Sequence, residues 1–342
     1  MKQITKYLFF SILFFSCAQV TSLNLSKHQF GKIPTKIIWM QVPGLDPEHM
    51  ALLKFSYPSR ASMTAFEKSL CVGTIWDYDL YKIRPNSRLG MLSQMTGKKN
   101  IKDDCSDYKN QPIWKYVSKK NYKSGIFEGV IKPEQSLLSS LRCEEHKDYL
   151  KETVFWSMNK GKNKTKFFHV DDKSAYSAGN IYTDKSCSQG NCYTTFSRNI
   201  EGTFKAFSKN AKNYIYIVRN FNYQNLLIKN DIQAAKIELE EINATLKYFQ
   251  DLAGRSSDML VLLTGAEAIN INFPKSGKEW KAYEKKTKYI KKINTKLISP
   301  VYASGARAEN FCGVYDQSQV LSRIFSGAKQ QGLEFSIINP FK

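Results

Sequence analysis

Histidine is scarce in this chain: His28, His49, His146 and His169 are the only four in 342 residues. Imidazole is the usual base and zinc ligand near neutral pH, so a site needing several of them has little to draw on. No Cys-x-x-Cys spacing occurs among the seven cysteines, which excludes the common thiolate zinc frameworks. No block of five or more basic residues and no nucleic-acid motif is present, so nucleic acid is not an expected partner. The apolar run 7–15 is too short to cross a bilayer of ~30 Å as a helix.

What is present describes a globular protein. Hydrophobic residues make up 42% and aromatics 13%, enough for a large core in one α/β domain or two smaller ones. The formal net charge is +21, which suits an anionic neighbourhood: an anionic small molecule, lipid head groups or an acidic envelope polymer. Residues 1–22 read as an export signal, with Lys2 and Lys6 ahead of the apolar run. Ser16-Cys17-Ala18 then suggests a lipoprotein site, Cys17 becoming the acylated, membrane-anchoring residue of a periplasmic or outer-membrane protein; ordinary cleavage near Ser22 is the alternative. Without Cys17 an even set of six cysteines remains, compatible with three disulfides in an exported chain. Cys187 and Cys192 bracket a four-residue polar turn and are the expected pair, while Cys71, Cys105, Cys143 and Cys312 allow three pairings.

Several stretches have clear local character. Residues 36–42 (KIIWMQV), 213–218 (NYIYIV) and 259–264 (MLVLLT) read as buried strands. Pro43-Gly44 break the first, and Asp46-Pro47 can cap and start a helix carrying Met50, Leu52 and Leu53. Residues 86–99 (NSRLGMLSQMTGKK) open a helix buried through Leu89, Met91, Leu92 and Met95 and ended by Gly97. Ser87 stands at its mouth, where free N–H groups favour an anion, and spacing alone makes Ser87 the cap. A helix over 111–124 feeding a strand over 125–130 is expected, and a closing helix over 317–331. Residues 157–200 read as a polar, loop-rich insertion in which His169, Asp171 and Asp172 are solvated. Residues 231–253 form an amphipathic helix, with Glu238, Glu240 and Glu241 expected outward.

In order and spacing these stretches resemble the alkaline phosphatases. Asn86-Ser87-Arg88 and Gly97-Lys98-Lys99 fall at the intervals of that family's nucleophile segment, Asp-Ser-Ala and Gly-x-Lys. Residues 294–316 (NTKLISPVYASGARAENFCGVYD) resemble its His-Thr, Pro-Val-Tyr-Ala and Phe-x-Gly run. The resemblance spans about 36–331. It implies a three-layer α/β/α sandwich with a mostly parallel central sheet, over a domain of 30–335. It also implies where metal ligands would stand, and there the chain departs from the family. Pro43 replaces the metal-bridging aspartate, Arg219 a glutamate, Ala266 and Glu267 an aspartate and a histidine, and Asn294 a zinc-binding histidine. Ile131 to Glu134 stand where magnesium ligands would be. Arg142 matches the phosphate-gripping arginine in approximate spacing.

The implied reading is an exported pseudo-phosphatase without zinc or magnesium, Ser87 keeping a vestigial nucleophile position. Ser87, Arg142 and Arg219 would form an anion pocket. One alternative is a hydrolase rebuilt from Ser87, Glu267, Asp46 and His49, which would require zinc and magnesium. Another is a lipoprotein scaffold with no ligand pocket. Ligand and oligomeric state stay open.

Overall fold

The computed structural model describes residues 33–325, apart from 56–62, 79–81, 85, 103–106, 108–111, 141–149, 160–165, 171–175, 186, 189–190, 193 and 210. Cys17, Cys105, Arg142, Cys143, Asp171 and Asp172 lie outside the described residues, as does the expected export signal.

The centre is a ten-stranded, mostly parallel sheet. β1 is Lys36–Gln41, β2 Cys71–Trp76, β3 Lys123–Glu128 and β4 Thr153–Ser157. β5 is Lys166–Phe168, β6 Ile181–Asp184, and the small hairpin β7 Cys187–Ser188 and β8 Asn191–Cys192 follows. β9 is Tyr214–Arg219, β10 Met259–Thr264, β11 Ile269–Ile271, β12 Lys292–Thr295, β13 Ile298–Gly305 and β14 Gly313–Asp316. The order across the sheet is β14-β2-β13-β10-β1-β9-β3-β4-β6-β5, and only β13 runs against its neighbours. β1 sits between β10 and β9 in parallel register, which is why KIIWMQ is apolar without alternation: both of its faces are covered.

The central strands divide their side chains between two cores. Ile38 and Met40 of β1, with Tyr216 and Val218 of β9, belong to one core. Ile37 and Trp39, with Ile215 and Ile217, belong to the other. The first core is roofed by α1 (Met50–Lys54), α5 (Phe196–Ser208) and α7 (Ile232–Ala253); α6 (Asn222–Ile228) adds Tyr223 and Leu227. The second is roofed by α2 (Ser87–Thr96), α3 (Ile113–Ser118) and α9 (Gln319–Phe325), while α4 (Leu137–Ser140) adds Leu137. Helices on both faces make three layers. Each fully buried Ile, Leu or Phe in them contributes roughly 1.5–3 kcal/mol.

Several local expectations shift. Asn86, not Ser87, caps α2: its Oδ1 accepts from the Leu89 N–H at 3.0 Å, and Ser87 becomes the first helical residue. Gly97 ends α2 at φ 69°, as a left-handed C-cap requires. The helix expected over 111–124 is the shorter α3, because Asn121 takes φ 62° and turns the chain directly into β3 at Lys123. Part of 157–200 is sheet: β5 and β6 extend the main sheet beyond β4, and the range ends inside α5. Phe168 and Tyr182 explain this, since both are buried in the first core. Cys187 and Cys192 are backbone register partners in the β7–β8 hairpin. Of the four open cysteines, Cys71 and Cys312 form a disulfide across a sequence separation of 241 residues. Glu238 and Glu241 turn inward rather than outward: Glu238 accepts from the Asn220 and Asn222 amides, and Glu241 from Ser197. Of the expected closing helix, α9 covers Gln319–Phe325.

Candidate functional site

The carboxyl ends of β3, β9, β1 and β10 form one rim. Register places Glu128, Arg219, Gln41 and Thr264 in a single row across it. The loops beyond are tied edge to edge: Gly44 N–H donates to Ala266 O at 2.9 Å, and Asn220 N–H to Gln41 O at 2.9 Å. In open parallel sheets this rim is where ligands bind.

Ser87 comes to the rim because α2 packs Leu89, Leu92 and Met95 into the second core and so aims its first turn at the β10 loop. The Ser87 hydroxyl donates to Gln224 Oε1 at 2.7 Å. Gln224 Nε2 donates to Glu267 Oε2 at 2.8 Å, and that same oxygen accepts the Ser87 backbone N–H at 2.8 Å. The three residues close a ring through the Ser87 backbone N–H. Gly44 makes room for it. It lies at φ 80°, and a Cβ there would meet the Cα, Cβ and Cγ of Gln224 at 3.1 Å. Only glycine serves both that conformation and that approach.

This ring decides what Ser87 can do. The first turn of a helix presents unpaired N–H groups and positive potential, a natural seat for phosphate. Here the Glu267 carboxylate occupies the Ser87 N–H. The hydroxyl proton is given to an amide oxygen, which cannot carry it away as a base would. Nothing in the ring activates the serine.

Glu267 is held in an uncommon conformation, φ 50°. Its backbone N–H donates to Asp77 Oδ2 at 2.9 Å, and Ser299 Oγ donates to the same oxygen. Asp77 is buried, and burial pushes its carboxyl up to about 7, with the Glu267 charge adding to the shift. Its Oδ1 has no hydrogen-bond partner among the described residues. Asp77, Gln224, Ser299 and Glu128 were absent from the sequence candidates. Asp77 had a faint signal, as the first residue after an alternating strand; Gln224 had none.

Arg219 lies elsewhere in the row and does not line an open pocket. Its side chain is 1% exposed and forms an ion pair with Glu128, itself 0% exposed. Arg219 Nε donates to Gln41 Oε1 at 3.2 Å and Nη2 to Gln135 O at 3.3 Å, and the guanidinium lies 4.8 Å over the Phe221 ring. Glu128 also accepts from Ser136 Oγ at 2.6 Å and Leu137 N–H at 2.9 Å.

Asp46 and His49 gather apart from Ser87. Asp46 caps the short 3-10 turn Pro47–His49 through Glu48 N–H at 2.9 Å, and pairs with Lys296 Nζ at 2.7 Å. His49 is buried, and burial lowers its pKa to about 4, so the ring is neutral. Its Nε2 donates to Ile269 O at 2.8 Å, and its Nδ1 accepts from the Tyr223 hydroxyl at 2.7 Å. With both nitrogens engaged, it offers no base to Ser87.

No family model and no curated protein matches the chain by sequence. Solved structures do match it by shape. The alkaline phosphatase of the Antarctic bacterium TAB5 superposes with a TM-score of 0.66 at 14% identity, covering 87% of this chain and 99% of that one. The Thermus thermophilus alkaline phosphatase gives 0.68 at 10% identity, covering 90% and 93%. The lipoteichoic acid synthase LtaP of Listeria monocytogenes gives 0.51 at 10% identity, covering 86% and 72%.

The chain has the alkaline-phosphatase fold.

The zinc and magnesium which that family resemblance implies can be tested against the donors present. A zinc pair needs several deprotonated carboxylates or neutral imidazoles converging at fixed distances. In hydrogen-bond contact with Ser87 stand one carboxylate, Glu267, and one amide, Gln224. Among the described residues no group of three or more His, Cys, Asp or Glu side chains could hold a metal ion. Pro43 and Ala266 have no ligating group, Arg219 is a cation inside an ion pair, and Asn294 is exposed on β12. The donor set among the described residues does not fit the two-metal centre.

Proposed function

We propose that this is a catalytically silent, exported protein that uses the alkaline-phosphatase fold as a structural or binding scaffold in the cell envelope, without metal-dependent phosphoryl transfer. One observation carries the reading: the Glu267 carboxylate sits on the Ser87 N–H while the Ser87 hydroxyl donates to Gln224. An internal carboxylate fills the anion seat, and the serine has neither base nor Lewis acid. Export rests on the composition of residues 1–22, with acylation of Cys17 as the proposed anchor. No helix among the described residues is long and apolar enough to cross a membrane. The buried Arg219–Glu128 pair favours the scaffold over an anion pocket built on Ser87, Arg142 and Arg219, because the guanidinium is already neutralised.

The test is hydrolysis of phosphate monoesters and diesters by purified protein, with and without added zinc and magnesium, beside a Ser87→Ala variant. The expected result is identical background rates for both and metal content far below one ion per chain. Turnover that metal raises and Ser87→Ala abolishes would overturn the proposal.

A further inference from the structure

Between β11 and β13 the chain makes an excursion, 275–296, that holds nine lysines against two glutamates. That local excess of seven is a third of the net charge of +21. The excursion comprises α8 (Gly277–Glu284), a connecting turn and β12. It is fastened from beneath: Trp280, Tyr283 and Ile290 are buried in the first core, and the Trp280 ring lies 5.2 Å from that of Phe55.

Fastening one side turns the other outward. Lys278, Lys281, Lys285, Lys286, Lys291 and Lys292 are exposed, and no ion pair holds any of them among the described residues. The acidic groups nearby are already engaged. Glu279 pairs with Lys288 at 2.6 Å, Glu284 accepts from Trp280 Nε1 at 2.9 Å, and Asp231 caps α7. Among the lysines stand two large apolar groups facing water, Tyr289 at 74% and Ile293 at 57% exposure. Two further contacts widen this surface. Lys292 N–H donates to Asn230 Oδ1 at 3.1 Å, beside exposed Ile228 and Lys229; Arg84 Nη1 donates to Thr295 O at 2.5 Å, beside exposed Ile83.

We propose that this excursion is a docking surface for an anionic lipid bilayer. Unpaired lysines supply attraction to acidic head groups, while Tyr289 and Ile293 enter the boundary between head groups and acyl chains. A soluble polyanion would engage the lysines and gain nothing from an exposed isoleucine, so the mixed composition favours the bilayer. The lysine stems, long and apolar, lie along such a boundary with their charged ends in water. The proposal uses none of the contacts of the Ser87 ring, so it stands whether or not the chain is catalytically silent.

The test is flotation of the full-length protein with vesicles of phosphatidylcholine alone, or of phosphatidylcholine with phosphatidylglycerol. Cys17→Ser is present throughout, so that no acyl anchor contributes. The expected result is binding to anionic vesicles, absent on neutral ones and weakened by salt. Replacing Lys285, Lys286, Lys291 and Lys292 by glutamine should lower partitioning about a thousand-fold, at roughly 1 kcal/mol per lysine. Tyr289→Ser with Ile293→Ser should weaken it with every lysine in place; circular dichroism confirms folding of each variant. Unchanged partitioning of the glutamine variant overturns the proposal. So does binding to soluble polyphosphate that equals vesicle binding and ignores Tyr289 and Ile293, an outcome that would assign the surface to a polymer.

Discussion

The rim of the sheet and the 275–296 excursion handle charge in opposite ways. At the rim the charged groups are answered from within: buried Arg219 by Glu128, and half-buried Glu267 by the Ser87 N–H and the Gln224 amide. On the excursion six lysines stand in water with no ion pair among the described residues. A rim whose fields cancel internally has little left to offer a phosphate. A surface whose charge is left uncancelled pays nothing in desolvation and keeps its attraction for an outside partner.

The largest test of that contrast is Arg219→Met. It strands Glu128 as an unpaired buried carboxylate, and should lower the unfolding free energy by about 3–5 kcal/mol in denaturant titrations. Arg219→Met combined with Glu128→Leu should recover most of the loss, since an apolar pair has no charge to desolvate. A loss from Arg219→Met no larger than that of a surface lysine would break the comparison.

Next comes Asp77→Asn, read through pH. Burial raises the Asp77 carboxyl from its ordinary 3.8 to about 7 in the folded state. Its contribution is therefore fully present below the unfolded value and is lost as pH rises through 7. The stability of Asp77→Asn relative to the parent should climb by about 1.4 kcal/mol per pH unit between about 4 and 7. A pH-independent difference between the two would show that Asp77 ionises normally. His49 acts with the opposite sign, its folded pKa being lowered by burial, and both chains share it.

Glu267→Gly sharpens the contrast at its most specific point. Glycine accepts the φ of 50° without strain, so stability should change by no more than about 1 kcal/mol. The variant vacates the Ser87 N–H, and inorganic phosphate should then raise its melting temperature while leaving the parent unmoved. Equal phosphate effects on both would mean that Glu267 does not fill the anion seat. The smallest expected effect lies on the other region: Lys285→Gln with Lys286→Gln should alter stability by less than about 0.5 kcal/mol, because no folded-state partner is lost.

How far the fold could be read depends on the kind of residue. β1, β9 and β10 were legible because a strand buried on both faces must be apolar throughout. α7 was legible because Ile232, Ala235, Leu239, Ile242, Leu246 and Phe249 repeat at helical spacing and are buried. β5 and β6 were not, since a strand of three or four residues in a polar setting has too short a pattern to stand out. Within the site, Ser87 and Glu267 were visible as landmarks, yet Gln224 and Asp77 carry no local mark. Their roles arise from segments brought together across 137 and 190 residues. Arg219 was visible as a charge, but not as one already spent on Glu128.

By itself the sequence determined the central strands, the long amphipathic helix and the concentration of lysine between 275 and 296. Those follow from periodicity and composition, which act over a few neighbours. Only the tertiary structure decided that the Ser87 seat is filled, that Arg219 is neutralised and that the lysines remain unanswered. Pairing of charges is a matter of distance in space, and the chain reveals that distance only once the sheet has assembled its rim.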